Sequence, residues 1–144
     1  MMTRRILLFS AAVLPFRLMA DEQRVSVRGR LRQGDGVKPG LTTKDGKTID
    51  LAGDSATLGV LRDTRLKDAD FEAMGHFTGP AEFQIDPIYK KALFAWRDGK
   101  RLMVTYWCEI CSIRAWTPGP CQCCQRPMKL DLRDPALEDT DPTN

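Results

Sequence analysis

A chain of 144 residues with 42% apolar and 28% charged side chains is sized for one domain and is not disordered as a whole. Its formal charge of +3 comes entirely from Arg4, Arg5 and Arg17. Residues 21–144 carry equal numbers of acids and bases, which excludes the basic footprint of a nucleic-acid binder.

Residues 1–20 read as a signal peptide. Arg4 and Arg5 form the positive region, Ile6 to Leu14 the apolar stretch, and Leu18-Met19-Ala20 the end before the polar Asp21-Glu22-Gln23. The apolar run is too short to span a bilayer. No cysteine sits at the cut, so cleavage leaves no membrane anchor. The expected location is periplasmic or secreted. Thr3-Arg4-Arg5-Ile6-Leu7-Leu8 also resembles a twin-arginine export signal.

Strands dominate residues 21–107. Arg24 to Leu31 alternates, with Val25, Val27 and Leu31 on one face. Leu41–Lys44 and Lys47–Leu51 flank Asp45-Gly46 and read as a hairpin, a pair favoured where both turn residues need positive φ. A short helix is predicted over Ser55–Leu61, with Ser55 as N-cap and Leu58 and Leu61 inward. Phe71, Ala73, Gly75 and Phe77 share one face of a further strand. That alternation leaves His76, the chain's one histidine, on the other face as a surface residue. Phe83 and Ile85 mark a short strand stopped by Pro87. Ala92–Trp96 and Leu102–Trp107 form a second hairpin across Asp98-Gly99. This order, strands then a short helix then strands, resembles a small five-stranded oligonucleotide/oligosaccharide-binding (OB) barrel. Such barrels host unrelated functions, so the resemblance implies a shape only.

The second hairpin runs into the informative segment, residues 108–133. Cys108-Glu109-Ile110-Cys111 is one C-x-x-C pair. After nine residues, Cys121-Gln122-Cys123-Cys124 is a second. A tetrahedral zinc needs four thiolate or imidazole ligands, and two such knuckles supply them. Between the pairs, Thr117-Pro118-Gly119-Pro120 carries the residues of a type II turn, which folds the chain back. The spacer is shorter than the roughly 15–20 residues usual in a zinc ribbon.

Cys108, Cys111, Cys121 and Cys124 are therefore the expected ligands. Cys123 is a spare thiol that also stands as a substitute ligand. Zinc leads; spacing equally admits rubredoxin-type iron, and soft thiolates suit copper(I). An exported chain also meets oxidising conditions that favour disulfides, although five cysteines leave one unpaired. Haem c attachment is excluded, since Ser112 and Gln125 follow the pairs where histidine is required. Trp107 and Trp116 are expected to shield the metal from water. Residues 134–144 are acidic, carry two prolines and are expected to be poorly ordered.

The run from Tyr106-Trp107-Cys108 through Thr117-Pro118-Gly119-Pro120-Cys121 to Cys123-Cys124-Gln125, followed by Leu130-Asp131-Leu132-Arg133, resembles the ending of uncharacterised small exported proteins of environmental bacteria. The resemblance implies no activity. No H-E-x-x-H, phosphate-binding Gly loop or G-x-S-x-G elbow occurs. Two functional readings follow. One is a non-catalytic exported module that presents its barrel to a protein or small ligand and is stapled by metal. The other is a redox or metal-handling protein that uses its cysteine pairs.

Overall fold

The structure is a computed structural model that describes residues 24–140. The expected signal peptide lies outside these residues. Among the described residues no helix is long and apolar enough to cross a membrane.

Among the described residues nine strands and one α-helix form in chain order. They are β1 (Val25–Arg32), β2 (Gly40–Thr42), β3 (Thr48–Ala52), α1 (Ser55–Leu61), β4 (Asp70–Gly79), β5 (Glu82–Ile85), β6 (Leu93–Arg97), β7 (Lys100–Cys108), β8 (Ile113–Ala115) and β9 (Lys129–Arg133). The first five strands close on themselves in the order β1-β2-β3-β5-β4 and back to β1. Only β3 and β5 run parallel, with Leu51 opposite Phe83. This is the OB-like barrel expected from the element order, with α1 between β3 and β4.

Closure requires β1 to change partners along its length. Residues 25–30 pair with β4, while residues 30–32 pair with β2. At the crossing a Cβ on Gly29 would lie 2.5 Å from the Thr42 carbonyl oxygen, so only glycine fits that corner. Inward side chains alternate along each strand. Leu31, Leu41, Leu51, Phe71 and Phe83 fill the barrel and are fully buried.

Helix α1 covers this core with Thr57, Val60 and Leu61, while Leu58 is half-buried. Its N-cap is Asp54 rather than the expected Ser55. The Asp54 carboxylate accepts the Thr57 N–H at 2.7 Å, which moves the cap one residue earlier. Leu61 and Leu58 both pack on the core as expected, Leu58 at its margin, and Val60, three residues after Thr57, joins them.

The two Asp-Gly hairpins use different turns. Asp98 and Gly99 both have positive φ, at 51° and 72°, as a two-residue type I′ turn demands. In the first hairpin Gly46 has φ 83° while Asp45 is not left-handed. There the Thr43 N–H bonds to the Lys47 carbonyl, so the loop has three residues and glycine takes its one left-handed position.

The remaining strands grow from the barrel. Residues 71–73 of β4 pair with β6, which pairs with β7. One edge of β7 carries β6 and then β8; the other carries β9 from Met103 to Trp107. Cys108, Cys121 and Met128 belong to the same apolar cluster as Leu31 and Phe71. The β6–β7 hairpin thus links the barrel to the cysteine segment, and all three share one core. At the end of the described chain, where composition suggests little order, Pro135–Thr140 forms a 3-10 turn, and the Leu137 N–H bonds to the Asp134 carbonyl.

Candidate metal centre

The site is built from two similar turns. The first knuckle, Cys108–Cys111, closes the β7–β8 hairpin, with Cys108 opposite Ile113. The second, Cys121–Cys124, closes a smaller hairpin. There the Cys121 N–H bonds to the Arg126 carbonyl at 2.8 Å and Pro120 faces Pro127. In each knuckle the residue after the second cysteine is left-handed: Ser112 at φ 51° and Gln125 at φ 62°. Gly119 also takes positive φ, at 128°, within the turn expected between the pairs.

These turns bring the Sγ atoms of Cys108, Cys111, Cys121 and Cys124 within 4.8 Å of one another. Four sulfurs held about 2.3 Å from one tetrahedral ion lie about 3.8 Å apart by simple geometry. Cys108 Sγ and Cys124 Sγ are 3.6 Å apart, close to that edge length and far beyond the roughly 2.05 Å of a disulfide bond. All five cysteines are free thiols in this structure. The arrangement is therefore capable of holding a metal ion, and the residues it brings together are the expected four.

Electrostatics differ between the two knuckles. The Cys121 sulfur accepts backbone N–H bonds from Cys124 and then Cys123, which pull its pKa down to about 7. Cys111 is pushed well above the usual thiol range, chiefly by its hydrogen bond with Cys123 and then by burial and the neighbouring thiols. Cys108 and Cys121 are buried, Cys111 and Cys124 half-buried, and Cys123 exposed. Cys123 thus stands outside the four-sulfur group while touching one of its members.

The surrounding side chains fix the ribbon to the barrel. Arg114 on β8 donates to Thr105 Oγ1 and to Asp131 Oδ2, both at 2.7 Å. It also lies over the Trp107 ring at 4.8 Å. Arg65 Nη1 donates to the Met128 carbonyl at 3.0 Å. Its other nitrogens grip Asp63, which also accepts the Tyr106 hydroxyl at 2.8 Å. The expected tryptophan shield is not formed by Trp107. Side chains alternate along a strand, so Trp107 faces away from Tyr106 and Cys108. Trp116 sits near Ile88, Leu93 and Val104, with Lys91 4.6 Å over its ring.

The Asp63–Tyr106–Arg65 group was not readable from the sequence. The inward direction of Tyr106 follows from its alternation with Cys108, but its partner lies 43 residues away on another element. His76, on β4 opposite Gln84, is not part of the sulfur group. No protein-family model, curated protein or solved structure matches the chain. The chemistry of the site is accordingly read from its geometry.

Proposed function

We propose that this chain is an exported, non-catalytic β-barrel module whose C-terminal ribbon is stapled by one zinc ion on Cys108, Cys111, Cys121 and Cys124. The observation that carries the reading is the convergence of four sulfurs within 4.8 Å from two like-built knuckles. Four thiolates complete a tetrahedral shell and leave no position for water or substrate, which is the arrangement of structural zinc. When bound, zinc would supply a fixed charge that holds the two knuckles together. The chain's own contribution is orientation: the N–H donors of Cys124 and Cys123 favour the thiolate of Cys121, and Arg114 and Arg65 anchor the strands that carry the pairs. Export rests on the leader-like residues 1–20. The barrel is the surface offered to a protein or small-ligand partner.

Native mass spectrometry of residues 21–144, with elemental analysis of the same sample, tests the zinc reading. One zinc per chain with four cysteines protected from alkylation supports it. A metal-free chain with two disulfides removes it. A second reading, metal handling with iron or copper(I), is favoured by one feature: exposed Cys123 hydrogen-bonded to Cys111 gives the site an incoming fifth thiol. Iron or copper in the same analysis selects that reading.

A further inference from the structure

On the barrel wall, a cavity of about 850 Å³ lined by none of the cysteines opens between the β1–β2 connection, the end of β3 and α1. Its volume lies within the range of small-molecule sites. The loop that forms one wall is shaped by its own turn, in which the Val37 N–H bonds to the Gly34 carbonyl at 3.2 Å and Gly36 is left-handed at φ 66°. Apolar surface comes from Val37, which is 49% exposed, and from half-buried Leu58 and Ala52.

The charges around this cavity are unbalanced. Lys38, Arg62 and Lys67 line it against a single acid, Asp35. Each of the three cations makes no ion pair or side-chain hydrogen bond among the described residues. By contrast, Arg24, Arg28, Arg32, Arg65, Arg101 and Arg114 each face a carboxylate. Arg62 also sits at the C-cap of α1. Six arginines thus have carboxylate partners, whereas these three cations gather without one around a single apolar hollow.

We propose that this cavity is a binding site for a small amphiphilic anion: an oxyanion head held by Lys38, Arg62 and Lys67, and a short apolar body laid against Val37, Leu58 and Ala52. The head charge answers the surplus of cations. The body takes the apolar area that water covers poorly. Carboxylate and phosphate heads share this chemistry, and the test separates them.

The test is heteronuclear NMR titration of the metal-loaded chain with octanoate, octyl phosphate and the neutral control 1-octanol. Octanoate or octyl phosphate is expected to shift amides in residues 34–38 and 52–62 at a saturable site, with 1-octanol weaker by about fivefold or more. Tighter octyl phosphate assigns a phosphate head; tighter octanoate assigns a carboxylate. Arg62→Gln combined with Lys67→Gln should weaken the anions by about tenfold, from two exposed charge contacts of up to about fivefold each. Val37→Asp, at an exposed position that leaves the core alone, should abolish anion binding. The proposal is overturned by 1-octanol binding as well as octanoate, by unchanged affinity in the double variant, or by shifts spread over the whole chain.

Discussion

Asp63 shows how one residue joins the barrel to the ribbon. Burial alone would raise its pKa, but donors from Arg65 and the Tyr106 hydroxyl outweigh that and hold the carboxyl below its usual range. Glu72 is treated the same way: burial raises it, and Arg101 Nε at 2.7 Å and Trp96 Nε1 at 3.0 Å pull it below. Both folded pKa values are depressed, so their stabilisation is present above the unfolded carboxylate value of about 4 and is lost as pH falls through the folded values. The melting temperature should therefore hold between about pH 7 and pH 5 and drop steeply below about pH 4. Asp63→Asn should flatten part of that drop, as followed by circular dichroism. Tyr106→Phe leaves the fully buried ring in place and removes one donor to a buried carboxylate. Chemical denaturation should show a loss of about 1–3 kcal/mol. A loss below about 0.3 kcal/mol would assign the tie to Arg65 alone.

At the scale of an element, the two knuckles carry a conformational cost that a substitution can relieve. Ser112 and Gln125 are left-handed, a state that disfavours residues with a Cβ by about 1 kcal/mol. Glycine has no such penalty. Gln125→Gly should strengthen metal retention against a competing chelator, and Gln125→Val should weaken it, with an overall spread of about tenfold or more. The two Asp-Gly turns give a parallel contrast. Asp98→Ala places alanine at φ 51° and should cost about 1 kcal/mol. Asp45→Ala should cost less, because Asp45 is not left-handed. The dipeptide was readable as a turn in both places, but the loop length that decides the turn type depends on strand register, which the dipeptide does not encode. Helix α1 was legible to the residue at both ends; its cap was not, because Asp54 and Ser55 both suit the position and only the Thr57 N–H chooses between them. Strands β8 and β9 were not read from the sequence. They are three and five residues long, and their half-buried faces are specified by pairing to β7 rather than by their own alternation.

For the molecule as a whole, the decisive feature is that β7 serves two structures at once. Its first half pairs with β6, which extends the barrel from β4; its second half carries β8 and β9, and its last residue is the first sulfur of the site. The barrel was legible because its turns and alternating strands follow in sequence order, and the four sulfurs because C-x-x-C spacing states the chemistry directly. The joint was not, since a core shared through a linking hairpin is a property of three-dimensional contact alone. The joint makes a definite prediction about metal removal. Structural zinc sites couple binding to folding. Without metal, the segment between β8 and β9 is held by its short hairpin bonds and the Arg65–Met128 bond, and buried Cys121 and Met128 lose a constraint that helps seat them in the core. The closed ring of β1 to β5 keeps its own ladders and its filled interior. Chelation should thus produce two effects in one sample. Hydrogen exchange should accelerate for amides in residues 108–128 and along β9, while the β1–β4 ladder from Val25–Gly75 to Arg30–Asp70 stays protected. The melting temperature should also fall, because the shared core loses Cys108, Cys121 and Met128 from its packing. Uniform loss of protection would mean that the barrel cannot stand without the ribbon. Unchanged exchange throughout would mean that the sulfur group contributes nothing to the fold, and the structural role of the metal would be withdrawn.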